Sequence, residues 1–258
     1  MKLLGIDIGG SGIKGAIVDS YTGKLLTERF RIPTPKPATP EAVAQTVKTI
    51  VEHFKWTDAV GVSFPCVVVN GQCMTNGNIS KQWLGVQIDE LFSKTCNGLP
   101  FYVANDADLA GVAEMNLGAG KDEMGKVVMI TIGTGIGSGM FQDGRLVPNT
   151  ELGYLRHKGD PIEWFMADSV RKKEGLSLKK WAKRFDFFLT YMKRVVTPNL
   201  VIIGGGISKK FAEFEPYLTT KMPIKVATFR NNAGIIGAAI YALEKEVDLL
   251  PNRSVSQD

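Results

Sequence analysis

The chain has 258 residues, 44% of them hydrophobic and 22% charged, enough apolar side chain for one large core or two modest ones and unlike a disordered segment. The formal charge is +5, but the 31 Lys and Arg residues are scattered, so no basic stripe offers itself to a nucleic acid. Three cysteines without CxxC spacing and two histidines argue against a zinc site, Asp7 interrupts the apolar start too early for a signal peptide, and no run is long enough to span a membrane, which points to the cytoplasm.

In chain order, residues 3–8 read as a buried strand, Gly9-Gly10-Ser11-Gly12 as a tight turn and 13–18 as the returning strand, with a third strand over 25–32. Four prolines in the eight positions 33–40 make a stiff connector, and Thr39 can cap a helix over 41–54 whose apolar face carries Val43, Val47, Ile50 and Phe54. Strands over 59–64 and 66–69, a helix over 88–95 and a strand over 101–104 follow, the last feeding a helix that opens at Asn105-Asp106. A strand over 127–132, a Gly133-Thr134-Gly135 turn and a strand over 136–141 come next. Helices are expected around 161–172 and over 178–196, then a strand over 200–203 ending in Gly204-Gly205-Gly206 and running into a further helix. A strand over 224–227 and a helix from about 232 to 244, rich in small residues, close the pattern, and the polar tail 251–258 is expected to fray.

The segment Ile6-Asp7-Ile8-Gly9-Gly10-Ser11-Gly12, strand, Gly23-Lys24-Leu25 is mirrored by Ile130-Thr131-Ile132-Gly133-Thr134-Gly135, strand, Gly144-Arg145-Leu146. Such internal similarity implies α/β architecture with two related lobes about a central cleft. The expected division is an N-terminal lobe over 1–116 and a C-terminal lobe over 117–258, the last helix free to pack back on the first lobe.

Three glycine turns follow strands, where backbone N–H groups can face phosphate without a side chain in the way. Neither the P-loop spacing nor the dinucleotide G-x-G-x-x-G is present. Asp7, at the end of the first strand, can hold Mg2+ directly or through water, or serve as a turn residue; Lys14 is either a phosphate ligand or a strand surface residue. Asn105-Asp106 fits a helix cap and fits equally a sugar site in which Asp106 takes the hydroxyl proton and Asn105 holds another hydroxyl. Glu151 can accept two adjacent hydroxyls or sit in a solvated turn. Asn76 and Asn78, in a polar loop, can add hydroxyl contacts or form a plain turn.

Taken together, Asp7-Ile8-Gly9-Gly10-Ser11-Gly12-Ile13-Lys14, Asn105-Asp106, Thr131-Ile132-Gly133-Thr134-Gly135-Ile136-Gly137, Glu151-Leu152-Gly153 and Ile203-Gly204-Gly205-Gly206 resemble the ROK family of sugar kinases and regulators. Within it, Ser11-Gly12-Ile13-Lys14-Gly15, the stretch 147–153 and the short length are similar to polyphosphate glucokinases. The resemblance implies an actin/hexokinase-like (ribonuclease H-like) fold and phosphoryl transfer from polyphosphate or ATP, with Mg2+, to the 6-hydroxyl of a hexose. It implies donor phosphates on Gly9 to Gly12 and on Thr131 and Gly133 to Gly135, with Gly204 to Gly206 bordering an adenosine. Asp106 becomes the general base, Asn78, Asn105 and Glu151 sugar ligands, Asp7 the metal-side carboxylate, and a homodimer the expected assembly. The family's Glu-x-Gly-His reads Glu151-Leu152-Gly153-Tyr154 here, so Tyr154 stands where a sugar-binding histidine is expected; the cysteine-rich zinc motif of many members is absent. Two rivals accompany this reading: a sugar-binding sensor with little or no transfer, and a kinase for mannose or an amino sugar. With six residues ahead of Asp7, a repressor with a preceding DNA-binding domain is not expected.

Overall fold

The computed structural model describes residues 1–77 and 79–249. Its contacts divide the chain into two compact units, Met1–Ala113 with the chain from Asn232 onward, and Glu114–Asn231.

In the first unit, β1 (Lys2–Gly9) turns through Gly10-Ser11 into the antiparallel β2 (Gly12–Asp19), which sets Asp7 opposite Lys14. The third strand is shorter than the expected 25–32: β3 is Phe30–Ile32, with only an isolated bridge from Val18 to Leu25 before it. The cause is local, because the N–H of Ile17 donates to Oγ1 of Thr27 at 3.1 Å, a side chain taking the place of the strand ladder. Helix α1 (Pro40–His53) is capped by Thr39, whose hydroxyl oxygen accepts from the N–H of Ala42 at 3.3 Å, and Pro40 sits where a missing N–H costs nothing. Val43, Val47 and Ile50 form its buried face.

Strand β4 (Val60–Phe64) runs parallel to β1 and sets Ser63 opposite Asp7. A small hairpin, β5 (Val68–Val69) and β6 (Gln72–Cys73), and α2 (Ile88–Thr95) lead to β7 (Phe101–Asn105), parallel to β4. The sheet order is β3-β2-β1-β4-β7. Helix α3 (Asp106–Leu117) starts on the residue after β7.

The second unit repeats this plan. Strand β8 (Lys126–Ile132) loops through residues 133–135 into β9 (Ile136–Gln142), and β10 (Arg145–Val147) continues the meander. A two-residue hairpin, β11 (Arg156–His157) with β12 (Asp160–Pro161), follows. The helix expected around 161–172 is two short ones, α4 (Glu163–Met166) and α5 (Asp168–Lys173), because Ala167 between them is extended at φ −58 and ψ 153. Helix α6 (Leu178–Val196) buries Trp181, Phe185, Phe188 and Leu189, and the left-handed Thr197 ends it. Strand β13 (Leu200–Gly204) continues into a 3-10 turn and α7 (Phe211–Phe214), then β14 (Ile224–Val226). The order β10-β9-β8-β13-β14 matches that of the first sheet strand for strand.

The last helix, α8 (Ala233–Leu249), belongs to the first unit and lies on β1 and β4. A Cβ on Gly5 would sit 2.0 Å from the carbonyl oxygen of Ile235, and one on Gly61 1.8 Å from that of Ala238, so bare strand backbone is what admits the helix this closely. No helix of the described residues is long and apolar enough to cross a membrane.

Candidate active site

The register of the first sheet lines up Arg31, Lys14, Asp7 and Ser63 on neighbouring strands β3, β2, β1 and β4, and directly opposed residues share a face. Lys14 Nζ lies 2.9 Å from Oδ2 of Asp7, the two side chains 25% and 19% exposed, and the buried Ser63 donates to Oδ1 of Asp7 at 3.0 Å. Helix α8 brings its second residue, Gly234, onto the same carboxylate: a Cβ there would be 2.8 Å from Cγ of Asp7. Asp7 is thus fixed from three sides. Among the described residues no three His, Cys, Asp or Glu side chains gather as a metal cage. A single carboxylate of this kind suits Mg2+ that keeps its water and draws other ligands from phosphate.

The turn beyond Asp7 is clamped as well. The hydroxyl of the buried Thr34 donates to the carbonyl of Gly9, and Nη2 of Arg31 donates to the carbonyl of Ser11 at 2.7 Å. The guanidinium lies over Gly12, where a Cβ would meet Nε at 2.5 Å and Cζ at 2.7 Å. Gly10 and Ser11 are exposed at the tip.

At the end of β7, Asn105 is buried and committed to structure. Its Oδ1 accepts from the N–H groups of Ala107 and Asp108 at 2.9 and 3.3 Å, and its Nδ2 donates to the carbonyl of Cys66 at 3.0 Å. Helix capping therefore takes up its oxygen, and the carbonyl of Cys66 takes one of its two N–H groups. Asp106, the first residue of α3, is exposed, at the helix end where a negative charge is favoured. The loop after β6 returns to this place, since a Cβ on Gly77 would be 1.7 Å from the carbonyl oxygen of Pro65. Asn76 is exposed on that loop, and Asn78 lies outside the described residues. Cys66 and Cys73 are free thiols beneath the loop.

In the second unit, Ser138 of β9 pins the segment before Glu151: its hydroxyl donates to the carbonyl of Thr150 and accepts from the N–H of Leu152 at 2.8 Å. Burial, and next the charge of Glu163, raise the carboxyl of Glu151 above its ordinary range. Tyr154 is 60% exposed, and its phenol is also pushed up, by burial first and then by Glu163 and Glu151, so it stays a donor at neutral pH. Glu163 of α4 also accepts from the N–H of Ile136 at 3.0 Å, directly behind the Gly133-Thr134-Gly135 turn. Ser169 of α5 braces the turn from the other side, its N–H donating to Gly133 and its hydroxyl to the carbonyl of Thr134.

Thr131 faces Gly204 across the β8–β13 pair. Gly205 has φ 76 and ψ −178, a conformation open in practice to glycine alone, and a Cβ there would be 2.3 Å from the carbonyl oxygen of Ile132. Side chains added at Gly133 or Gly206 would meet open space, so those two glycines leave room rather than relieve crowding.

The first unit thus gathers Asp7, Gly9, Gly10, Ser11, Gly12 and Lys14 at one end of its sheet, with Asn105 and Asp106 at the end of β7. The second gathers Thr131, Gly133, Thr134, Gly135, Gly204, Gly205 and Gly206 about β8 and β13, with Glu151 and Tyr154 beside the hairpin. Sequence reasoning missed Arg31, Ser63, Glu163 and Gly234. Arg31 had one available signal, its place in the strand after the first hairpin, and Glu163 had none.

The chain is similar to proteins of known kind along nearly its whole length. It is 44% identical to a polyphosphate glucokinase of Mycobacterium tuberculosis over 239 residues, 93% of this chain and 90% of that protein. Among solved structures, an inorganic polyphosphate/ATP-glucomannokinase from Arthrobacter sp. strain KM superposes with a TM-score of 0.87 at 45% identity, covering 94% of this chain and 99% of that one. A ROK family glucokinase from Streptomyces griseus, at 21% identity and a TM-score of 0.78 over 95% of this chain and all of that one, shares the fold, which is actin/hexokinase-like. The family model described as the ROK family matches residues 3–154, more than half of the sequence. By that match and by the breadth of the likeness to its relatives, the chain belongs to the ROK family.

Proposed function

We propose that the protein is a hexose kinase that transfers a phosphoryl group from polyphosphate or ATP to the 6-hydroxyl of glucose or a related hexose such as mannose. The observation that carries the mechanism is the division of labour at the end of β7, where Asn105 is held by three backbone partners and Asp106 stands exposed in the first turn of α3. Asp106 is the general base: its carboxylate takes the proton of the sugar hydroxyl as that oxygen attacks the terminal phosphorus in line, and Asn105 fixes the start of the helix that aims it.

Glu151 accepts hydrogen bonds from sugar hydroxyls, and Tyr154, kept neutral, donates one where the family has histidine. Asn78 and the remaining N–H of Asn105 are further sugar contacts. Donor phosphates lie on the backbone of the hairpins at 9–12 and 133–135, with Lys14 and Thr131 beside them and Gly204 to Gly206 bordering the nucleoside when ATP is the donor. Asp7 would hold Mg2+ through its water, and the ion, when bound, would offset charge on the transferring phosphoryl group. Cytoplasmic location and a homodimer belong to the same reading.

Product formation from glucose, mannose and glucosamine, each with Mg2+ and either ATP or polyphosphate, tests it directly. Asp106→Asn should lower turnover roughly 10²- to 10⁴-fold with hexose binding retained, and near-full turnover in that variant would remove Asp106 from the role. Hexose binding without transfer in any arm would support a sensor instead.

A further inference from the structure

We propose that Arg31, a residue with no assigned role, is the principal cationic ligand for the terminal phosphate of the donor at the first hairpin. The inference rests on the kinase reading and deepens its donor site.

The argument starts from where the positive charges are committed. Lys14, the basic residue of the hairpin motif itself, has its ammonium 2.9 Å from the carboxylate of Asp7, so that pair presents little net charge to an incoming anion. Arg31 is placed next to Lys14 by the register of β2 and β3, and its only partner among the described residues is the carbonyl of Ser11, at 2.7 Å from Nη2. Among the described residues no carboxylate lies within ion-pair distance of it. A guanidinium carries five N–H donors in a planar fork that matches phosphate oxygens, and one bond to a carbonyl leaves most of that fork available. The same bond stops the long side chain from wandering, and Gly12 gives the plane of the group a bare backbone to rest on, since a Cβ there would lie 2.5 Å from Nε. An exposed arginine on a surface strand would ordinarily be free to rotate; this one is laid over the turn whose tip, Gly10-Ser11, is open to solvent. The chemistry that completes the arrangement is a phosphate oxyanion at the tip, shared between backbone N–H groups and the Arg31 fork.

The site would serve polyphosphate and ATP alike, because both end in a phosphate, and parallel measurements with the two donors separate them. Arg31→Gln and Arg31→Lys in the full chain should keep the hexose KM within about twofold of the parent. The donor KM should rise roughly 10- to 100-fold in Arg31→Gln, the range of a lost charge-assisted hydrogen bond, with partial recovery in Arg31→Lys. A rise for ATP only, or for polyphosphate only, would show which donor reaches this hairpin. A second readout needs no turnover: inorganic tripolyphosphate should raise the melting temperature of the parent and lose most of that effect in Arg31→Gln. Unchanged donor KM and unchanged tripolyphosphate stabilisation would overturn the proposal, and so would an equal rise of donor and hexose KM with a lowered melting temperature, which is the mark of a merely structural clamp. If the parent phosphorylates no hexose, the kinase reading fails, while the tripolyphosphate shift still decides the role of Arg31.

Discussion

The hairpin of the first unit is braced by a cation and that of the second by an anion. Arg31 donates to the carbonyl of Ser11 in one, and Glu163 accepts from the N–H of Ile136 in the other. The strands around them have the same order, and Asp7 and Thr131 hold corresponding places, with Ser63 and Gly204 opposite them. The same strand order therefore places a turn at the same point in each sheet, of two residues after β1 and of three after β8, and the side chains contributed by later elements, β3 in one unit and α4 in the other, give the turns opposite local charge. A turn with an unneutralised guanidinium favours an anion. A turn with a carboxylate behind it has no cation of that kind to offer a phosphate, while the same carboxylate reaches Glu151 and Tyr154 electrostatically and raises both.

The largest expected effect falls where the second unit departs from the first. Gly205→Ala forces a β-carbon into a left-handed extended conformation against the backbone of Ile132, and should lower the unfolding free energy by about 3 kcal/mol or more in denaturant titration. A loss below about 1 kcal/mol would mean that the strand end relaxes at little cost.

Glu163 gives the next effect, in two separable parts. Glu163→Ala strands the N–H of Ile136 and should cost about 1–3 kcal/mol, whereas Glu163→Gln keeps an acceptor and should be close to neutral in stability. Glu163→Gln also removes the charge that helps raise Glu151. Because the ionised carboxylate accepts from hydroxyls more strongly than the protonated one, the proposed sugar role of Glu151 predicts hexose affinity that improves as pH rises through its elevated pKa, and a rise that moves to lower pH in Glu163→Gln. A rise that stays in place would detach Glu151 from sugar binding or from Glu163. The stability linkage has the opposite sense: a carboxyl raised on folding binds its proton more tightly in the folded state, so its contribution to stability falls as pH climbs from the ordinary carboxyl value through the raised one. Smallest is Ser63→Ala, which takes one hydrogen bond from Asp7 and should cost about 1 kcal/mol by thermal or chemical unfolding.

The parts of this arrangement that could be read in the sequence are those written in local pattern. The hairpin motifs, the helix over 88–95 and the long amphipathic helix over 178–196 follow from glycine placement and apolar periodicity, and Thr39 and Asn105 from their positions before helices. What escaped depends on register and packing between distant segments. Arg31 reaches Ser11 across 20 positions and Glu163 reaches Ile136 across 27, and neither pairing is specified by neighbouring residues. The shortened β3 escaped for a different reason, since Thr27 reads as a good strand residue and its hydroxyl is what displaces the ladder.

Gly234 sets helix stability against the placement of the Asp7 carboxylate at one position. Alanine in place of a helical glycine usually adds up to about 1 kcal/mol, but here the added methyl would be driven into the carboxylate of Asp7, 2.8 Å from its Cγ. A short side chain can swing aside, so the fold would tolerate the change while the carboxylate left the grip of Lys14 and Ser63. Gly234→Ala would therefore leave the melting temperature little changed, the helix gain offset by the bonds lost at Asp7, so a screen on melting temperature alone would not register the displaced carboxylate that the proposed Mg2+ role of Asp7 depends on.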